Sequence, residues 1–109
     1  MSTQKDTVAF ILERLGRPEA FSARAMFGEY ALYADGKVVA LICDDQLYVK
    51  ILPESKELEA FCEKAPPYPG AKSYYLVEEG DVSKHTELGD ILMQIAKALP
   101  ARKKKVKRK

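Results

Sequence analysis

Two cysteines, one histidine and sixteen carboxylates are the side chains of this 109-residue chain with the most chemistry to offer. Cys43 and Cys62 have eighteen residues between them, which makes neither a Cys-x-x-Cys redox pair nor half of a zinc site. Cys43 lies in an apolar strand-like run and Cys62 on the apolar side of a helical pattern, so both are expected as buried, reduced thiols. His85 sits in the polar stretch Ser83-Lys84-His85-Thr86 ahead of a helix, a solvated-loop position. No serine has the Gly-x-Ser-x-Gly surroundings of a nucleophile elbow. Asp44-Asp45 reads as a turn pair and Glu78-Glu79 as a loop flank. The glycines Gly28, Gly36, Gly70, Gly80 and Gly89 are isolated, so none builds a phosphate-cradling loop, and no Asp-x-Asp-x-Asp-Gly calcium pattern occurs. The sequence therefore predicts no catalytic residue, no cofactor and no metal.

Cations are more suggestive. Seven of the 18 basic residues stand at the C-terminus: Arg102, Lys103, Lys104, Lys105, Lys107, Arg108 and Lys109. No carboxylate lies among them, which leaves the preceding body with a charge of −5 while the whole chain is +2. An acidic globule thus carries a cationic tail, and the two need not share a partner. Such a tail either tracks a phosphate backbone without sequence preference or serves solubility alone. Arg24, Lys50 and Lys72 are lone cations in or beside apolar strands. Together they would make an anion- or partner-binding patch; apart, they are solvent-facing positions with snorkelling stems. Tyr30, Tyr33, Tyr48, Tyr74 and Tyr75 invite comparison with a base-stacking platform. The acidic body and the missing alternation of basic and aromatic residues favour core packing with phenol oxygens at the rim.

The elements that position these groups can be read from periodicity. The length suits one domain, expected over residues 1–100, and the 47 % hydrophobic and 31 % charged composition is that of a soluble globule. No apolar run approaches a membrane span, and Met1–Asp6 does not open a signal peptide, so the cytoplasm is the expected compartment. Val8, Ile11, Leu12 and Leu15 form one helical stripe, capped by Ser2, Thr3 or Asp6 and stopped by Gly16 and Pro18. The period then falls to two over residues 23–27, 29–34, 37–43 and 46–51. Asp35-Gly36 is a strong two-residue hairpin signal, Asp44-Asp45 is a second turn, and Gly28 marks a bend where φ is positive. Leu58, Phe61, Cys62 and Ala65 restore helical spacing after Pro53. Pro66-Pro67-Tyr68-Pro69-Gly70 is a stiff loop, and residues 73–77 make another strand. Leu88, Ile91, Leu92, Ile95 and Leu99 form the last stripe, with Thr86 or Ser83 as cap and Pro100 as stop. Residues 101–109 have no apolar periodicity and are expected to be disordered.

The order α-β3/4-α-β-α implies an α+β fold, a two-layer sandwich of an antiparallel sheet with helices on one face. Residues 38–43 are apolar at both parities, so this strand wants both faces covered. A second copy of the chain, meeting Val39 and Leu41, is one way to cover the face that the helices leave.

The stretch Arg24-Ala25-Met26-Phe27-Gly28-Glu29-Tyr30-Ala31-Leu32-Tyr33-Ala34-Asp35-Gly36-Lys37 resembles the opening motif of the TfoX/Sxy N-terminal domain family. Asp45-Gln46-Leu47-Tyr48-Val49-Lys50 and Pro67-Tyr68-Pro69-Gly70-Ala71-Lys72 agree with it, in order and in register. The resemblance runs from about residue 7 to residue 99. It implies an α+β domain with an antiparallel sheet, and Met26, Phe27, Gly28, Tyr30, Asp35 and Gly36 as its structural motif. It departs in having Gly28-Glu29 and Tyr30-Ala31 where many relatives show Gly-Gly and Tyr-Gly. The best-known members are bacterial regulators of DNA uptake and competence genes, working alongside transcription factors, and they carry a second, helical domain where a basic tail stands here. The resemblance implies no catalytic or ligand residues.

Three functional readings follow. The first is a non-enzymatic interaction module that regulates transcription through a protein partner. The second is a nucleic-acid-associated accessory protein that binds through its tail. The third is an enzyme working from a pocket the sequence does not display.

Overall fold

A computed structural model describes residues 3–26, 28–84 and 87–99. Phe27, His85, Thr86, Ser2, Pro100 and the basic run at 102–109 lie outside the described residues, and so do the expectations placed on them.

Helix α1 (Lys5–Leu15) is followed by four strands in a meander: β1 (Phe21–Met26), β2 (Glu29–Ala34), β3 (Lys37–Cys43) and β4 (Gln46–Val49). A 3₁₀ helix (Pro53–Ala60) leads to the short strand β5 (Glu63–Ala65) and then to β6 (Tyr74–Val77), α2 (Glu79–Lys84) and α3 (Leu88–Ala98). All strands join one open antiparallel sheet in the order β1-β2-β3-β4-β6-β5. The fold class is α+β, as expected. Asp35 (φ 52°) and Gly36 (φ 81°) turn the β2–β3 hairpin with the two positive φ values that a type I′ turn requires, and Gly28 has φ 83° between β1 and β2.

The helical elements share one face of the sheet. Val8, Ile11 and Leu15 of α1, Leu58, Val82 of α2 and Leu88, Ile91, Leu92 and Ile95 of α3 form one cluster with Leu32, Ile42, Leu47, Val49 and Val77. The stripe on α3 is the one its sequence periodicity predicts. Lys37, at the start of β3, donates from Nζ to the carbonyls of Ala96 (2.8 Å) and Leu99 (3.1 Å). A cation there satisfies carbonyls that the end of α3 leaves without helical partners.

Three expectations are corrected. The helix expected through Leu58, Phe61, Cys62 and Ala65 is a 3₁₀ helix that ends at Ala60. Phe61 has φ −140°, and the chain then runs extended so that Glu63–Ala65 pairs with Tyr74–Leu76. Ala65 precedes Pro66, which disfavours helical backbone, and the pairing covers what would otherwise be the exposed edge of β6. Ser83 is not a cap for the last helix, because it falls inside α2, a six-residue helix with too little length to show a period.

The third correction concerns Val39. Register jumps between Leu32↔Ala40 and Tyr33↔Val38, so Val39 is the extra residue of a β-bulge. The bulge places Val39 and Ala40 together in the helix-side cluster, both fully buried, while Leu41 lies on the opposite face. Val39 and Leu41 do not share a face. Strand β3 is buried on both sides within one chain, which is why its sequence is apolar at both parities.

Opposite the helices, Ala31, Leu41, Cys43 and Tyr48 form a second cluster, flanked by Tyr33, Val38, Ala65, Tyr74 and Leu76. Among the described residues, none from a helix belongs to this cluster. The proline-rich segment between β5 and β6 crosses it as a strap: Pro67 is buried, and Tyr68 reaches a cleft shared with Met26, Glu29 and Cys43. The strap reverses at Tyr68-Pro69-Gly70-Ala71, where the Ala71 N–H donates to the Tyr68 carbonyl at 3.1 Å. Proline in the second position and Gly70 at φ 88° in the third make this a type II turn.

Candidate functional site

Two clefts open along the sheet, the first of them on the strapped face. The first has a volume of about 470 Å³ and is lined by Met26 from β1, Glu29 from β2, Cys43 from β3 and Tyr68 from the strap. Register explains the convergence of the strand residues. Met26 pairs with Glu29, and Tyr30 with Ile42, so the last residue of β1, the first of β2 and the last of β3 meet in one row. Among the described residues, Met26 (37 % exposed) and Tyr68 (55 %) are two of the three exposed large apolar side chains.

Glu29 is held from below. Its Oε1 accepts the Thr3 hydroxyl and the Asp44 N–H (2.9 Å). Thr3 is itself buried, within 3.1 Å of the Ile42 carbonyl, and its Oγ1 accepts the Asp45 N–H at 3.3 Å. The segment preceding α1 is thereby tied to the β3–β4 turn, and one wall of the cleft is fixed.

Cys43 has a thiol pushed up to about 11, first by burial and then by the Glu29 and Asp44 carboxylates. Cys62, on the helix side, is pushed up to about 11 by burial and then by Asp81 and Glu78. Activated cysteines need the reverse, a lowered pKa and an electropositive neighbour. Burial likewise raises Tyr48 and Tyr74, with smaller contributions from Cys43 and other acidic groups. Each of these groups stays protonated and neutral near pH 7, which suits apolar contact and hydrogen-bond donation rather than nucleophilic attack. Both cysteines are free. Among the described residues no group of three or more His, Cys, Asp or Glu side chains is placed to hold a metal ion.

The second cleft, about 320 Å³, opens where β4 ends and β6 begins. Lys50, Leu52, Lys72, Ser73, Tyr74 and Leu99 line it. Ser55, fully buried, shapes this wall: its Oγ accepts the Leu52 N–H (2.9 Å) and donates to the Lys50 carbonyl (2.7 Å). The structure thus brings Lys50 and Lys72 together. Arg24 is not part of that cleft; it lies on the edge strand β1 with its guanidinium 5.7 Å from the centre of the Tyr33 ring. The expected three-cation patch is therefore a pair plus an outlier.

Sequence reasoning missed Glu29, Tyr68 and Thr3. Glu29 stands where many relatives show a second glycine, and that substitution was the available signal. The sequence places Tyr68 only in a stiff loop and Thr3 only among the caps of α1, but neither Thr3 nor Asp6 is the cap. The N-cap position is Gln4, and the Thr3 hydroxyl meets Glu29 and Ile42 far along the chain.

The alternation of helix-side and strap-side burial over a six-stranded antiparallel sheet defines a small α+β domain. Residues 12–98 match the model of the TfoX N-terminal domain family, and the chain belongs to that family. It is also similar to an uncharacterized 12.7 kDa protein in the trpE 5′ region of Spirochaeta aurantia, 37 % identical over 103 residues covering 94 % of this chain and 89 % of the relative. Among the described residues no helix is long and apolar enough to cross a membrane.

Proposed function

We propose that the chain is a non-enzymatic, cytoplasmic interaction module that takes part in transcription or competence-type regulation by holding a protein partner on its strapped face. The observation that carries this reading is the exposure of Met26 and Tyr68 on either side of one cleft, continuous with the apolar cluster of Leu41 and Tyr48. Methionine and tyrosine beside a desolvated apolar centre are the composition of an interface core. Membership of the TfoX N-terminal domain family supports the regulatory context. The test is affinity capture from a bacterial extract with three baits: the full chain, Met26→Lys/Tyr68→Lys, and a chain ending at Ala101. A transcription factor or polymerase subunit retained by the first and third baits and lost by the second supports the reading. Retention by all three removes the strapped face from it.

The basic run favours a second reading, an accessory protein that meets nucleic acid through its tail. Seven cations within residues 102–109 have no neighbouring carboxylate to neutralise them. This reading involves the other end of the molecule and does not compete for the strapped face.

A further inference from the structure

We propose that the cleft of Met26, Glu29, Cys43 and Tyr68 receives an arginine side chain of the protein partner, with its guanidinium on Glu29 and its stem along Met26 and Tyr68. The inference rests on the reading of the strapped face as a partner-binding surface and adds to it the chemistry of the group that binds.

Among the described residues, Glu29 is the one charged side chain lining that cleft. Two donors on its Oε1, the Thr3 hydroxyl and the Asp44 N–H, hold the carboxylate in place. Its Oε2 has no hydrogen-bond or ion-pair partner among the described residues. Arg24, two positions before Met26 on the same strand, does not neutralise it; that guanidinium lies over the Tyr33 ring instead. Burial first, then the Glu29 and Asp44 carboxylates, push the Cys43 thiol up to about 11, so this wall stays neutral. The cleft thus joins apolar walls to one fixed, unneutralised carboxylate.

Charge complementarity selects the occupant. An anion is repelled by Glu29. A purely apolar side chain suits the walls but strips water from Oε2 and returns no donor, which costs as much as a missing hydrogen bond. Lysine brings a compact, strongly hydrated ammonium with no flat surface. Arginine matches every part: its guanidinium is planar and more weakly hydrated, donates N–H groups to a carboxylate, and lies flat against a tyrosine ring. Its methylene stem covers the methionine wall while the charged head stays at the cleft mouth. The volume of about 470 Å³ is that of a ligand pocket, which admits such a side chain whole.

The experiment titrates the full chain, carrying isotope-labelled methionine methyls, with acetyl-leucyl-arginine amide and with its citrulline counterpart, which has the same shape and no charge. Met26 lines the cleft and Met93 packs on the helix side, so the second methyl is an internal control. The arginine probe is expected to shift the Met26 methyl saturably, leave Met93 in place, and bind about tenfold more tightly than citrulline. Glu29→Gln keeps an acceptor for Thr3 and Asp44 but loses the charge, and it should abolish that preference. Equal affinity of the full chain for the two probes overturns the arginine assignment and leaves an apolar docking face in place. A preference that survives Glu29→Gln takes the carboxylate out of the site and overturns it as well. A Met26 methyl that moves with neither probe also overturns it, and the capture experiment above then decides the strapped-face reading by itself.

Discussion

The Asp45 carboxylate caps α1 from the opposite side of the sequence: its Oδ1 accepts the Gln4 N–H at 2.7 Å and the Thr7 hydroxyl at 2.9 Å. Gln4 precedes the helix without a side-chain cap of its own. In the usual reciprocal arrangement, a residue three places into the helix accepts that N–H; here the acceptor comes from the β3–β4 turn. Asp44 and Asp45 hold φ of 52° and 61°, a left-handed backbone that costs most residues about 1 kcal/mol or more. Asp45→Asn keeps an acceptor and tolerance of that backbone, whereas Asp45→Ala keeps neither. The expected losses are under about 1 kcal/mol for Asn and about 2 kcal/mol for Ala, read from urea midpoints. Equal losses would mean that the cap contributes nothing.

Gly28 joins β1 to β2 at φ 83°, and its carbonyl accepts the Thr3 N–H at 3.1 Å. Gly28→Ala is expected to destabilise the fold by about 1 kcal/mol or more. A melting temperature equal to that of the parent would contradict this.

Both thiols are raised to about 11 from 9.0, so the folded chain holds protons that the unfolded chain releases between those values. Unfolded chains then bind fewer protons, and stability falls as pH rises through that window, by at most about 1.4 kcal/mol per unit for each thiol. The contribution is fully present below pH 9. Tyr48 and Tyr74 shift in the same direction and steepen the loss. Denaturant midpoints from pH 8 upward check the sign, and double Cys→Ser replacement should flatten the curve.

Gly70 sets the turn that folds the strap back over Cys43. Gly70→Val strains that turn at φ 88° and should raise the rate at which Cys43 is alkylated, leaving Cys62 on the far side of the sheet unchanged. Mass mapping of iodoacetamide adducts separates the two. Equal acceleration at both sites would indicate general loosening instead.

Self-association of the strapped face is testable without touching the core. Leu41 is only 6 % exposed and Val39 not at all, so lysine at either unfolds rather than dissociates. Met26→Glu and Tyr68→Glu act at the surface. Since β3 is already covered on both faces within one chain, a monomer is expected in sedimentation; a dimer that either substitution returns to monomer would make a second copy the occupant. A wild-type chain that sediments as monomer rules out a second copy as the occupant.

Features carried by neighbouring residues were legible in the sequence. Asp35-Gly36 states its own hairpin, and the stripe Leu88, Ile91, Leu92, Ile95 states its own buried face. Features that depend on distant pairing were not. Leu58, Phe61 and Cys62 satisfy helical spacing, and Cys62 still bonds the Leu58 carbonyl at 2.8 Å, yet Glu63–Ala65 are claimed by β6. The bulge at Val39 exchanges the parity of β3 without any glycine or proline to announce it. The Lys50–Lys72 pairing was visible as two lone cations, but only the order of β4 and β6 in the sheet puts them at one cleft, and Arg24 on β1 away from it.

The placement of α3 has a consequence for the growing chain. The meander β1–β4 pairs near neighbours and can assemble as it emerges from the ribosome, whereas Leu92 and Ile95, which seal the helix side of that meander, are synthesised after every strand of the sheet. Until they emerge, Leu32, Ile42 and Val49 form a wet apolar surface on a sheet that still lacks its covering helix. Edges and surfaces of that kind recruit other chains. Translation of the last stretch is therefore the interval in which this protein most needs a chaperone, and truncations before residue 88 should be found in aggregates rather than as soluble fragments.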